Sequence, residues 1–361
     1  MSKLRIGIIG TGGIAGLHLK SYQKIKGVEV VAGCDIVPGK AKAFFKKWEC
    51  PDAMGFDSKE EMFKAVELDA VSVCTYNTTH AECAIAALKK GLPVLLEKPM
   101  CVTMDEARAI IAAEKKSGKF VMVGFQPRYD PNMQLIKKIV SSGELGKIYY
   151  VQIGGGRRRG MPGGTFIDKN LAGVGVLGDI GCYALDMVLF AMDYPKPLTV
   201  SAITADYMGK NKKVNPKFYK KFTVDDFSAA FIRLEGGLTI DFRTSWAMHM
   251  DTTGATIFLG SEKGLKICPT EGDWGGAWDG SCGPITMFHD SFGIPTSTPI
   301  PLSETDGWEA NFQRKCSAFI DAVKTGGPAP IPTSQIVYNQ AIIDGITRSS
   351  ALGSEVKCDL K

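Results

Sequence analysis

The sequence predicts an α/β protein in two parts. The first is a doubly wound parallel sheet and the second an α+β domain with a large, mainly antiparallel open sheet. Three observations predict this. A short apolar run over residues 4–10 ends in glycines and opens into a helical pattern. Strand and helix patterns then alternate with short connections to about residue 125. Beyond that point, β-type runs follow one another through tight turns, the pattern of antiparallel pairing.

Composition bounds the rest. A chain of 361 residues exceeds one ordinary core, which places the domains at 1–125 and 126–361, the closing helices being free to pack back on the first. A net charge of +5 with mixed acids and bases, and no basic stripe interleaved with aromatics, argues against a nucleic-acid partner. No apolar run reads as a bilayer span, so no membrane role is expected. The strand pattern begins at Leu4, leaving no room for a signal peptide, and ten cysteines then suit a reducing, cytoplasmic setting. Four scattered histidines, His18, His80, His249 and His289, complete no ligand set, so no metal site is expected.

Taken in order, Leu4–Gly10 is a strand, and Gly10-Thr11-Gly12-Gly13-Ile14-Ala15 matches G-x-G-x-x-G/A at a strand-to-helix turn. Gly10 permits the tight turn, Gly12 the approach of a pyrophosphate, and Ala15 close packing of helix on strand. Gly13 and Ile14 open a helix whose free N–H groups would receive the phosphates. The second strand, Val28–Cys34, ends at Asp35, an acid able to accept from ribose hydroxyls and repel a 2′-phosphate. Ile36-Val37-Pro38-Gly39 brings no arginine to offset it, which favours NAD over NADP. Further alternation follows: a helix near 59–66, a strand at 70–74, a helix at 81–90 and a strand at 94–96. A helix at 105–116 and a strand at 120–124 complete the first domain. Thr75, Tyr76 and Asn77, beyond the strand at 70–74, would line the nicotinamide half of the cofactor, with His80 at the start of the next helix.

Glu97-Lys98-Pro99 closes the run Val94-Leu95-Leu96. Ligands in open α/β sheets bind beyond the carboxyl ends of strands, so Lys98 is delivered where chemistry would occur. Pro99 restricts the backbone around it. Glu97 either orders the strand-end loop or reaches the nicotinamide ribose.

In the second part, 132–141 reads as a helix and 148–154 as a strand. Gly154–Gly164, enclosing Arg157-Arg158-Arg159, is too rich in glycine for regular structure and reads as a loop bordering a pocket. Asp179, Tyr183 and Asp186 are spaced by four and three, which places them on one helix face. β-type runs cover 198–208, 226–234, 237–248 and 255–267. Residues 270–306 read as an irregular loop, and 308–325 and 334–352 as two closing helices.

These residues together resemble the Gfo/Idh/MocA oxidoreductases, which include sugar and inositol dehydrogenases. The resemblance rests on the Gly10–Ala15 fingerprint, Glu97-Lys98-Pro99, and Asp179-x-Gly181-x-Tyr183-x-x-Asp186, in this order, and it covers nearly the whole chain. Many members carry histidine where this chain has Tyr183, and some active ones carry tyrosine. The resemblance implies a Rossmann domain binding NAD, a cis Lys98–Pro99 bond, and a small-molecule sugar, glycoside or polyol as substrate. It also implies a homo-dimer or homo-tetramer built through the open sheet. Arg157–Pro162 looks like a branch acting on glucosides at the pyranose C3 hydroxyl, with Arg157 and Arg159 as substrate contacts.

In that reading Lys98 takes the hydroxyl proton, Tyr183 shares it, and Asp179 binds a neighbouring hydroxyl. Two rival readings are an NAD(H)-retaining glycosidase working by oxidation, elimination and reduction, and a non-catalytic dinucleotide-binding regulator.

Overall fold

A computed structural model describes residues 3–251, 253–269 and 282–360. The chain divides into two compact units, Met1–Gln126 with Asp306–Ile336, and Pro127–Thr305 with Val337–Lys361.

The first unit runs β1 (Leu4–Ile9), α1 (Gly13–Gln23), β2 (Val28–Cys34), α2 (Lys40–Lys47), β3 (Met54–Phe56) and α3 (Lys59–Ala65). It continues through β4 (Ala70–Val73), α4 (His80–Lys89), β5 (Val94–Leu96), α5 (Met104–Ser117) and β6 (Val121–Val123). The strands form one parallel sheet in the order β3-β2-β1-β4-β5-β6. Every residue of β4, β5 and β6 is buried, as expected for parallel strands covered on both faces.

Local chemistry sets the helix ends. Thr103 and Glu106 form a reciprocal capping box at the start of α5, each side chain accepting from the other's backbone N–H. Gly118, at φ 65°, ends that helix in the left-handed region that glycine adopts freely. A late element completes the unit. Helix α9 (Gly307–Thr325) sets Phe312 edge-on to His18 of α1 and Phe319 edge-on to Phe120. The segment after it joins the sheet side of β6, with Val123 N donating to Ile331 O at 3.0 Å.

Helix α2 and strand β3 were not legible in the sequence. The strand has only three residues and lies at the sheet edge, too short for an alternation to show.

The second unit opens with α6 (Pro131–Ser141), capped by Asp130, whose Oδ1 accepts from Asn132 N at 2.8 Å. It continues with β7 (Ile148–Gly156), α7 (Lys169–Ala172), α8 (Cys182–Ala191), β8 (Pro197–Ala205), β9 (Phe227–Leu234) and β10 (Thr239–Ser245). Then come β11 (Thr256–Gly260), β12 (Gly264–Pro269), β13 (Cys282–Ser291) and β14 (Ile294–Ile300). Helix α10 (Thr333–Leu352) and β15 (Val356–Lys357) close the chain.

Among the described residues the strands form a nine-stranded sheet, β14-β13-β12-β11-β7-β10-β9-β8-β15, antiparallel except where β10 runs parallel to β7. Alternation along the strands puts Val151, Ile153, Ile232, Ile240, Phe242 and Phe258 into the core.

Three sequence expectations are corrected here. Gly154–Gly156 are not loop but the end of β7, paired with Arg243–Ser245 of β10. Pairing with β10 holds their backbone in the sheet, and Thr253 takes the space of a side chain: a Cβ on Gly154 would lie 2.4 Å from its Oγ1. The span 270–306 is not one irregular loop, because β13 and β14 form a hairpin turning at Phe292 and Gly293. The prolines and small polar residues of Ile294–Ile300, suited to an edge strand, hid the β pattern. Residues 270–281 lie outside the described residues. Finally, Lys169–Ala191 does have the length and apolar character of a bilayer span, yet 83% of its apolar window is buried within the fold. That burial is what a core segment shows.

Candidate active site

In the first unit the fingerprint turn is built as the phosphates of a dinucleotide require. Gly10 has φ 85°, and a Cβ there would sit 2.7 Å from the Cys74 carbonyl oxygen, so only glycine lets β1 and β4 end this close together. At Gly12 and Gly13 a Cβ would meet nothing within 4 Å, which leaves the outer side of the turn open. Helix α1 begins at Gly13 with no side chain capping it, so its first N–H groups remain available to an anion, with Ile14 in its first turn. These residues fit a pyrophosphate.

Asp35 stands at the end of β2, buried. Its Oδ2 accepts from Thr11 N and Thr11 Oγ1, each at 2.9 Å, and pairs with Lys40 Nζ at 2.9 Å. Its Oδ1 accepts from Val37 N at 3.1 Å. Burial would raise its pKa. The Lys40 ammonium and the Thr11 and Val37 donors outweigh that and hold the carboxyl below its usual range. Lys40 lies at the start of α2 and was missed in the sequence. It supplies a cation where the next four residues had offered none.

Thr75, Tyr76 and Asn77 follow β4, half-buried, and Asn77–Thr79 make one 3₁₀ turn before α4. The Lys98–Pro99 bond is cis and Lys98 is half-buried. Both neighbours of Lys98 are held. His80, buried as the first residue of α4, donates from Nδ1 to the Pro99 carbonyl at 2.7 Å. Burial lowers its pKa, so the ring is neutral. Glu97 turns inward and its Oε1 lies 2.8 Å from His18 Nε2 and 2.5 Å from Lys315 Nζ.

Donor logic fixes the direction of that buried network. A carboxylate only accepts, so His18 donates from Nε2 and its Nδ1 accepts. Ser72 Oγ, 3.1 Å away, then donates to Nδ1, and Tyr22 OH donates to Ser72 Oγ at 2.7 Å. Burial, and next the charge of Lys315, lowers the His18 pKa and keeps the imidazole neutral. Burial also opposes ionisation of Glu97, yet Lys315 and His18 hold it well below the usual carboxylate range. Glu97 therefore orders the strand end from inside. Nothing in the sequence linked α9 to this strand.

In the second unit the expected cluster is divided. Leu177–Gly181 is a π-turn, and α8 follows at once. Asp179 lies in that π-turn and Asp186 in α8, and the two acids meet different partners. Half-buried Asp179 accepts from Trp246 Nε1, just past β10, at 2.9 Å. Asp186 is 3% exposed and binds Arg128 through two bonds, Nε to Oδ2 at 2.9 Å and an Nη to Oδ1 at 2.8 Å. Tyr194 donates to the same carboxylate at 2.5 Å. Asp186 is a buried anchor of α8 rather than a group for substrate.

Tyr183, in the first turn of α8, is 5% exposed. Arg157 donates to the Gly160 carbonyl at 3.2 Å, and Arg159 to the carbonyls of Arg158 and Met248 at 2.6 and 2.8 Å. Both arginines brace the segment that leaves β7. Among the described residues no group of three His, Cys, Asp or Glu is placed to hold a metal ion.

Comparison with known proteins identifies this assembly. Residues 4–125 match the family model described as an oxidoreductase family with an NAD-binding Rossmann fold. Residues 133–266 match the GFO/IDH/MocA C-terminal domain. The chain belongs to the Gfo/Idh/MocA family.

This family member is 32% identical to the D-glucoside 3-dehydrogenase of Escherichia coli, over 71% of this chain and 78% of that protein. It is 29% identical to the glucose-6-phosphate 3-dehydrogenase of Bacillus subtilis, over 73% of each chain. Among solved structures, levoglucosan dehydrogenase in complex with NADH and levoglucosan matches with TM-score 0.82 at 20% identity, covering 99% of this chain and 100% of that one. An oxidoreductase domain protein from Kribbella flavida matches with TM-score 0.83 at 22% identity, covering 99% and 100%. These two share the fold. The chain is thus a dehydrogenase whose cofactor is NAD, held by a Rossmann unit.

Proposed function

We propose that this dehydrogenase moves hydride between NAD and a secondary hydroxyl of a sugar or glycoside, the favoured reaction being oxidation at C3 of a glucoside. The observation that carries the chemistry is Lys98, half-buried at the carboxyl end of β5 with the residue on each side fixed by a buried partner. The substrate class rests on the identity with the D-glucoside 3-dehydrogenase over most of both chains.

The bound nicotinamide supplies the hydride acceptor. Lys98, as neutral amine, takes the proton that leaves the reacting hydroxyl. An unperturbed lysine has a pKa of about 10.4, so partial burial is needed to make the neutral form accessible. Tyr183 can share that proton, since a phenol both donates and accepts. Asp179, its second partner fixed as Trp246, accepts from a neighbouring sugar hydroxyl. Thr75, Tyr76 and Asn77 contact the nicotinamide half of the cofactor.

A homo-oligomer built through the open sheet belongs to the same proposal. Ile203 and Phe231 are 60% and 42% exposed, and light scattering reads the mass. The activity test is the rise of reduced-nicotinamide absorbance on mixing protein and NAD with glucose, inositols and O- and C-glucosides. A rise with a glucoside and recovery of its 3-keto product supports the proposal. Release of free sugar with no net NADH would replace it with the oxidation, elimination and reduction cycle.

A further inference from the structure

Lys315 comes from α9, 218 residues after Glu97, yet its ammonium is wholly buried against that carboxylate. One further contact holds it, the Phe312 ring, 3.9 Å from Nζ to centroid; His18 Nε2, 3.4 Å away, is a second donor to the same carboxylate. Gly124 at the end of β6 leaves room for the pair, since a Cβ there would meet Glu97 Oε1 at 2.9 Å and Lys315 Nζ at 3.3 Å. Such a group is too deep to touch a substrate. It acts on the residue next in chain to Lys98.

We propose that Lys315 is a positioning residue for the reaction, clamping Glu97 so that the strand end presents Lys98 in one place, and cancelling the charge of this residue next in chain to Lys98. This rests on the reading of Lys98 as the proton acceptor. Two consequences separate the clamp from mere packing. Without Lys315, Glu97 loses the cation that offsets its burial; to the extent that it stays ionised it is an uncompensated anion one residue from Lys98, and a nearby anion favours the ammonium form. Lys98 would then deprotonate at higher pH.

Among the described residues, the groups that bear on the charge of Glu97 come from several elements. Helix α9 contributes Lys315 and Cys316, α1 contributes His18 and Tyr22, and Cys74 follows β4. His80 approaches from α4. The imidazoles are held neutral and burial keeps the thiols and the phenol protonated. Among these described groups, Lys315 is the cation that balances Glu97.

The test uses the full-length protein as Lys315→Met, Lys315→Met with Glu97→Gln, and Lys98→Ala. Three readouts are taken: kcat and KM against pH, NAD affinity by calorimetry, and labelling of Lys98 by an amine-directed reagent against pH, resolved by mass spectrometry. Lys315→Met is expected to move the Lys98 labelling midpoint up by about one unit. Its kcat at the pH optimum should fall ~10-fold or more, with NAD affinity within about threefold. The double variant should return the midpoint to the wild-type value while kcat stays low. A wild-type midpoint and kcat in folded Lys315→Met overturns the inference. If Lys315→Met does not fold, the double variant decides, and wild-type kcat in it overturns the clamp. Full activity in Lys98→Ala would instead remove the reading of Lys98 itself.

Discussion

Lys315 Nζ and Glu97 Oε1 lie 2.5 Å apart with side-chain exposures of 0% and 5%, joining the last third of the chain to the strand end that carries Lys98. Removing one member of a buried pair leaves an unpaired charge and costs about 3–5 kcal/mol, whereas removing both together costs far less. Lys315→Met should therefore lose about that much in a urea titration, and Lys315→Met with Glu97→Gln should regain most of it. Equal losses in the two variants would show that packing, not charge, is what Lys315 contributes.

The same network sets an acid limit. Glu97 is held below its ordinary range when folded, so its contribution is present above the usual carboxylate pKa and is lost as pH falls below that value toward the lowered folded one. His18 is buried neutral, so acidification below its ordinary value of 6.5 favours the unfolded chain, which can bind the proton. Both act in one direction.

Asp226 has the opposite sign. Burial pushes its carboxyl up to about 6 although Gly209 N donates to it at 2.5 Å. Folding then binds a proton between the ordinary carboxyl value of 3.8 and about 6, so this group costs stability as pH rises through that window. Asp226→Asn should match wild type near pH 4 and exceed it at pH 7, by on the order of 1–3 kcal/mol. Melting curves at the two pH values check this, and a difference that does not change with pH would refute it.

Lys98→Ala should lower turnover by at least ~10²-fold, the low end for loss of a general acid/base. NAD affinity should stay nearly unchanged, because the residues proposed for the phosphates and ribose lie at other strand ends. Steady-state rates and calorimetry on one preparation give both numbers. Near wild-type turnover would place the proton transfer elsewhere.

If Asp35 selects the cofactor as proposed, it does so together with its ion-pair partner Lys40. Asp35→Ala removes the acid that repels a 2′-phosphate and releases the Lys40 ammonium now 2.9 Å from it. The NADP-to-NAD ratio of kcat/KM should rise ~10-fold or more, about 1.4 kcal/mol. Adding Lys40→Ala should give most of that back. An unchanged ratio in Asp35→Ala would remove Asp35 from cofactor choice.

By itself, the sequence determined the features that depend on neighbours along the chain. The Gly10–Ala15 turn, Asp35 at its strand end, the succession of strands and helices, and Lys98 before Pro99 are all local patterns, because period, turn residues and capping act over a few positions. What only the tertiary structure decided is every contact made across long separations. Gly154–Gly156 became strand because Arg243–Ser245 of β10, far along the chain, pair with them. Asp186 left the candidate site because Arg128 and Tyr194 claim its carboxylate, and a π-turn no spacing rule signals set Asp179 against Trp246. Lys315 met Glu97 because α9 folds against α1, and a buried charge shows its purpose only once the partner that neutralises it is in place.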